Sequence, residues 1–342
     1  MLKKINILRR KITKLFTKNI GKIEYPIIPI EKAEIKKILI CRPNHRLGNQ
    51  ILLASLIQEL EQIFPNCKID LFVKGNLSKI IYKNYDSIDT IILLPKKHFK
   101  NLVQYLHGWI KLRSKKYDLA INVINYSSSG RLSTKFSNAK YKFYGDTVTD
   151  NERNSDIHIA KSIVYRTRDY LSKIGVKIDH DDIFPLDLRL DKIELEQGKK
   201  IINDLSNNAK KIISIFTFAT GDKCYSEEWW LKFYGTMKKQ FEDYVIIEIL
   251  PVENVSQINF EAPYFYSKDI REIAGVIANT AIFVGADSGM MHLASASKTP
   301  TLGLFKVTNR TVYEPFGNKN KGIDTNEKTF DELIQTIKNI LA

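Results

Sequence analysis

Phe283-Val-Gly-Ala-Asp-Ser-Gly-Met-Met-His-Leu-Ala-Ser-Ala296 runs almost at once into Thr299-Pro-Thr-Leu-Gly-Leu-Phe305. The first part reads as a buried strand, Ala281–Gly285, a turn of small residues and a short helix near 290–297; a second buried strand, Thr301–Phe305, follows. Strand, helix and strand in so short a stretch imply a parallel sheet, whose neighbouring strands need a crossover between them. Gly285 and Gly289 let the backbone turn sharply and let a ligand approach closely. Ser288 and the free amides of the first helical turn would face an anion, helped by the helix dipole. Asp287 would orient those amides or a ribose hydroxyl, and His292 lies one turn in, toward the same end. A helix capped by Asp287 or Ser288, with no ligand, is the plainer account of the same residues.

The same rhythm extends in both directions. Upstream strands read at Lys37–Cys41, Lys68–Val73, Asp89–Leu94 and Asp118–Val123, with a helix over about 49–63 that Pro65 ends. It pauses at Asp179–Leu190, a stretch rich in aspartate that contains Pro185, and restarts with a helix over about 193–206. Strands then read at Lys211–Phe216 and Tyr244–Leu250, helices from Glu227 and near 269–279, and a final helical pattern over Phe330–Ala342. Repeated strand–helix units predict an α/β chain of two Rossmann-like, doubly wound parallel-sheet domains facing a cleft, with ligands at the carboxyl ends of the strands. The expected division is an N-terminal extension over 1–34, a first domain over 35–190 and a second over 191–342. A length of 342 residues suits two cores.

Two more stretches carry chemistry. Asp222-Lys-Cys-Tyr-Ser-Glu-Glu-Trp-Trp230 follows the first strand of the second half. Lys223 would place a compact positive charge on phosphates, and Ser226 suits a helix N-cap with Glu227 and Glu228 in the first turn. Ile40-Cys-Arg-Pro-Asn-His-Arg-Leu-Gly-Asn-Gln-Ile-Leu-Leu-Ala54 forms the first strand–helix turn, with Gly48 at the bend. His45 is the titratable group of this loop with a pKa near neutrality, or a loop histidine that contacts substrate or solvent.

These motifs resemble glycosyltransferase family 9, the bacterial lipopolysaccharide heptosyltransferases. The family's D-[ST]-G-x-x-H-L-x-[AS]-A signature followed by T-P matches Asp287 to Pro300, and its lysine–aromatic–acid–aromatic pattern matches the stretch from Lys223. The resemblance implies a GT-B fold and an inverting transfer of a sugar, a heptose by default, from a nucleotide-diphosphate sugar to a lipopolysaccharide-core or related acceptor. It implies a donor site at Lys223, Asp287, Ser288, Gly289 and His292, with ADP-heptose as default donor and neither metal nor cofactor. The opening loop resembles the family's, except that Asn49 stands where the family has the aspartate thought to be the general base. An amide has no usable proton-accepting pKa, so His45 or a substrate phosphate would have to take the proton. Asp118–Val123 with Gly130-Arg131, and His158 before a helix over Ile159–Lys173, resemble the acceptor side, so Arg131 and His158 are acceptor-site candidates. Arg131 as a solvated arginine and His158 as a histidine satisfied by backbone are the alternatives. A nucleotide-sugar-binding protein that has lost its base, or another GT-B enzyme such as a nucleotide-sugar epimerase, are the competing functions.

Bulk properties set the compartment and the partners. Cys41, Cys67 and Cys224 lie far apart without metal-ligand spacing, which argues for a reducing, cytoplasmic setting. The net charge is +15, and residues 1 to 22 hold eight bases and no acid, with Leu2, Ile5, Leu8, Ile12, Leu15 and Phe16 at helical spacing. That describes a basic amphipathic helix able to lie on the anionic inner-membrane surface, or simply a solvated helix. It lacks the features of a signal peptide, and no apolar run is long enough to span a bilayer. No nucleic-acid recognition motif accompanies the charge, and a monomer is expected.

Overall fold

The computed structural model describes residues 20–21, 35–97, 101–146, 157–208, 211–317 and 319–342. The expected N-terminal amphipathic helix therefore lies outside the described residues, apart from Ile20 and Gly21.

The first half holds β1 (Lys37–Arg42), β2 (Lys68–Lys74), β3 (Ile88–Leu94), β4 (Lys116–Asn122) and β5 (Asn138–Phe143) in one sheet of order β3-β2-β1-β4-β5. The second holds β6 (Ile212–Phe216), β7 (Val245–Ile249), β8 (Tyr264–Phe265), β9 (Ile282–Ala286), β10 (Thr301–Phe305) and β11 (Lys321–Asp324), ordered β11-β10-β9-β6-β7-β8. Every strand pair is parallel. The central strands β6, β9 and β10 are buried at every residue, as a sheet covered on both faces requires. Each sheet reverses its winding once, between β1 and β4 and between β6 and β9. Loops leaving those strands diverge and open a crevice, which is where doubly wound sheets bind ligands.

Helices of the first half are α1 (Leu47–Ile51), α2 (Ala54–Ile63), α3 (Leu77–Ile81), α4 (Leu102–Ser114), α5 (Ser128–Phe136) and α6 (Ile159–Lys173). Those of the second are α7 (Lys192–Leu205), α8 (Glu227–Gln240), α9 (Ile270–Ala278), α10 (Gly289–Ala296), α11 (Arg310–Tyr313) and α12 (Phe330–Leu341). Where the apolar pattern predicts one helix over 49–63, the chain makes two, α1 and α2, with a turn at Leu52-Leu53. Strands β5, β8 and β11 escape the sequence reading because they sit at or near sheet edges: β5 carries lysines, β8 has two residues and β11 contains Gly322.

The segment after α6 runs between the halves and is pinned to both. Gln58 donates to the Pro185 carbonyl (2.8 Å), Tyr85 Oη to that of Asp187 (2.6 Å), and the Leu188 amide to the Ala296 carbonyl (2.9 Å). Arg271, buried on α9, donates to the carbonyls of Ile80 and Ile81 (each 3.3 Å), Leu188 and Arg189 (each 3.2 Å). Its guanidinium also grips Glu194 at 2.5 and 2.7 Å, and this contact drives the Glu194 carboxyl down to about 2. One apolar core consequently contains Ile57 of the first half, Leu186 of the connecting segment and Leu293 of the second. Among the described residues no helix is long and apolar enough to cross a membrane.

Candidate active site

Strand β9 is apolar to its last residue, so the first polar side chains after it, Asp287 and Ser288, emerge where the sheet winding reverses. The loop after β6 ends in Lys223 on the other side of the same reversal. Lys223 Nζ lies 2.5 Å from Asp287 Oδ2, so two motifs some sixty residues apart in sequence meet in one ion pair. Ser226 caps α8 by accepting the Trp229 amide (3.3 Å), which holds the Lys223 loop against a fixed helix start. Lys306, directly after β10, donates to the Cys224 carbonyl (2.8 Å) with its ammonium 4.9 Å from the centre of the Tyr225 ring.

Ser288 occupies the N-cap position of α10 but makes no capping bond, and its hydroxyl is buried without a partner among the described residues. His292, one turn along, is also buried; its Nδ1 has no partner among the described residues, and burial above all, then the charge of His158, pushes its pKa down to about 4. Unmet buried polar atoms at the amide end of a helix make an anion-receptive surface, because each costs free energy until something bonds it. The helix is therefore not closed by its own cap.

The opening loop of the first half packs on this end of α10. A methyl group on Gly48 would lie 2.8 Å from His292 Cδ2, and one on Gly289 would lie 3.0 Å from Leu47 Cβ and 3.1 Å from the Gly48 nitrogen. Both glycines are required by close approach, and they bring the starts of α1 and α10 together. Gln50, fully buried, steadies the loop by donating to the Asn44 carbonyl (2.6 Å) and accepting from Ser78 (2.6 Å).

His45 lies on the exposed side of this loop, and its pKa is lowered by partial desolvation and then by Lys96, Lys74 and Arg46. Asn49 is half-buried at the start of α1, next to Gly48. Arg42, at the end of β1, is half-buried with Tyr126 and Tyr313 as its nearest electrostatic neighbours, and burial lowers its pKa. Tyr313 in turn feels Asp287, which ties Arg42 to the same cleft. Arg42, Lys74, Lys96 and Lys306 were not singled out in the sequence; their signal was position, each at or just beyond the carboxyl end of a strand.

Arg131 and His158 call for a correction. Arg131, 4% exposed, forms a two-pronged pair with Asp146 (2.8 and 2.9 Å) and donates to the carbonyls of Asn125 (3.0 Å) and Ile20, so both terminal nitrogens of its guanidinium are engaged inside the fold. His158 caps α6 by accepting the Ala160 amide on Nδ1 (3.1 Å), while Nε2 donates to the Glu314 carbonyl (2.8 Å) and the ring stacks on Phe316 at 5.0 Å. Both residues tie structure together and neither is presented to an acceptor.

The model of Glycosyltransferase family 9 (heptosyltransferase) matches residues 267–338, the stretch that contains α9, β9, α10 and β10. Lipopolysaccharide heptosyltransferase 1 of Campylobacter coli is 23% identical over 311 residues, covering 82% of this chain and 87% of that one. The chain is heptosyltransferase-like. The same architecture occurs in the glycosyl transferase family 9 protein of Veillonella parvula DSM 2008, at a TM-score of 0.71 and 15% identity over 91% of this chain and 98% of that one. The Escherichia coli heptosyltransferase WaaC with ADP gives 0.64 at 15% identity over 89% and 99%. This heptosyltransferase-like chain thus has the GT-B arrangement of two parallel-sheet halves, with its most family-like segment at the β9–α10 turn.

Proposed function

We propose that the chain is an inverting glycosyltransferase that moves a sugar, by default a heptose, from a nucleotide-diphosphate sugar to a hydroxyl of an anionic lipopolysaccharide-core or related glycan acceptor. The observation that carries this reading is the open start of α10: Lys223 on Asp287, with Ser288 Oγ and His292 Nδ1 buried and unpartnered beside it. The ADP named with the Escherichia coli structure and the lipopolysaccharide named for the Campylobacter relative support an ADP-sugar donor and a lipopolysaccharide acceptor. The donor diphosphate would take Lys223 and the α10 amides, and Ser288 and His292 would complete its bonding. Charge growing on the departing diphosphate would be met by groups already fixed in place, which is where such groups lower a barrier most.

The acceptor side moves from Arg131 and His158 to the basic rim of the first sheet: Arg42, His45, Arg46, Lys74 and Lys96. An acceptor bearing carboxylates or phosphates suits that rim. His45 would take the hydroxyl proton. Partial desolvation, and then the surrounding cations, favour its neutral form, so it would be ready as a base at pH 7. Asn49 favours one competing reading, donor binding without transfer, because no carboxylate stands there.

The test is transfer of a labelled sugar from a panel of nucleotide sugars, followed across pH and with Lys223→Ala. Transfer should occur with inversion, and its rate should fall on the acid side only below a histidine's usual value of about 6.5. Losing a charge-assisted phosphate contact should weaken donor binding in titration calorimetry roughly 10- to 150-fold. Donor binding without turnover would establish the competing reading; unchanged donor affinity in Lys223→Ala would remove that residue from the site.

A further inference from the structure

Helix α4 lies on the outer face of the first sheet with Tyr105, Gly108, Trp109 and Leu112 turned inward. Trp109 packs edge-on against Phe72 at 5.3 Å and against Phe136 at 6.0 Å, so the inner side is anchored. Its outer side is also apolar: Leu102, Val103, Leu106 and Ile110 are 55%, 84%, 59% and 67% exposed, and Phe136 of α5 beside them is 54% exposed. Single exposed apolar residues are ordinary, but these four fall within about 100° of one helix face. Among the described residues nothing covers them.

Charge decides what covers this face. From Leu102 to Lys142 the chain carries eight bases against one acid, Asp118; Arg131 is paired with Asp146 and Lys115 with Asp70, which leaves Lys111, Arg113, Lys116, Lys135, Lys140 and Lys142 to charge this face. The Asp118 carboxylate is taken up by the amides of Lys36 (2.8 Å) and Lys37 (2.7 Å). Neither α4 nor α5 contains an acid, and Arg113 reaches the Phe136 carbonyl (3.4 Å), which sets a guanidinium at the edge of the apolar stripe. A second copy of the chain would oppose one cationic face to another, and residues 1 to 22, with eight bases and no acid, would be repelled likewise. We infer that the outer face of α4, with Phe136, seats on an anionic lipid surface: the apolar stripe enters the headgroup boundary and the flanking lysines and arginine meet lipid phosphates. This does not depend on which sugar is transferred, nor on the donor site.

The full-length chain should co-sediment with phosphatidylglycerol–phosphatidylcholine vesicles, less so at high salt, and not with phosphatidylcholine alone. Leu106→Glu with Ile110→Glu should weaken that partition at least about tenfold while thermal unfolding and donor binding stay as in the parent. Lys111→Glu with Lys135→Glu, which leaves the stripe intact, should weaken it as well and reduce its salt dependence. Unchanged sedimentation of the Leu106/Ile110 variant would overturn the inference and place any lipid contact elsewhere on the chain. So would a parent that fails to sediment but is dimeric in light scattering and becomes monomeric in that variant.

Discussion

His158 accepts a backbone amide on Nδ1 and donates from Nε2, which leaves no lone pair for a second proton unless the α6 cap breaks. Burial, the larger cause, then Lys161, hold its pKa down to about 4 against the Glu314 carbonyl, which works in the opposite direction. A histidine whose folded pKa lies below its unfolded value binds more protons when unfolded, so stability rises with pH between the two values. Stability should therefore decline as pH falls from about 6.5 to about 4, by on the order of 3 kcal/mol for a shift of this size at one histidine. Asparagine keeps an N-cap acceptor but cannot titrate. His158→Asn should accordingly lose stability at pH 7 yet show a shallower pH slope in urea unfolding; identical slopes in parent and variant would show that His158 does not carry the effect. At this scale the sequence was legible where partners are local, as with Ser226 three residues before Trp229. It was silent where they are remote: the Glu314 carbonyl lies 156 residues from His158, and nothing in residues 156–160 announces it.

Helices α1 and α10 meet end to end through Gly48 and Gly289, and neither has a side-chain cap at the meeting point. A methyl group on Gly289 has backbone and Leu47 Cβ in its way, neither of which can swing aside, so Gly289→Ala should force the two starts apart. The expected cost is about 1–3 kcal/mol, seen as a lower melting temperature, with weaker donor binding because Ser288 and Asp287 shift with the helix. A variant that melts and binds as the parent does would mean the contact relaxes freely. Elements buried on both faces were readable as continuous apolar runs, which is why β1, β6, β9 and β10 agree with their sequence-based bounds to within a residue or so. The break at Leu52-Leu53 was not, since both residues are buried and an apolar pattern does not reveal a turn that keeps them inside. Edge strands have no such run to read.

Arg271 is one of the ties between the two halves: its guanidinium collects four carbonyls and one carboxylate from α3, the connecting segment and α7. Replacing it by methionine would keep much of the volume but remove the two guanidinium bonds to Glu194, which would keep Lys83, Asn84 and the Asp191 amide, and the four to the carbonyls. Arg271→Met should cost about 3–5 kcal/mol, the range for one lost partner of a buried pair, and scanning calorimetry should resolve two transitions where the parent shows one. A single unshifted transition would show that the apolar core alone couples the halves. The two-domain architecture was legible from the strand–helix rhythm; the coupling was not, because no pattern in residues 269–279 predicts where one arginine will reach. Much of this seam shares a property. Arg271, His158 and Gln58 each donate to main-chain oxygens across it, and at Gly48 and Gly289 backbone meets its neighbour without a side chain between. A carbonyl oxygen is present whatever residue bears it. Mutation at Ile80, Arg189 or Glu314 can therefore drift without erasing the joint, and selection for the joint falls on the few donors that reach across it.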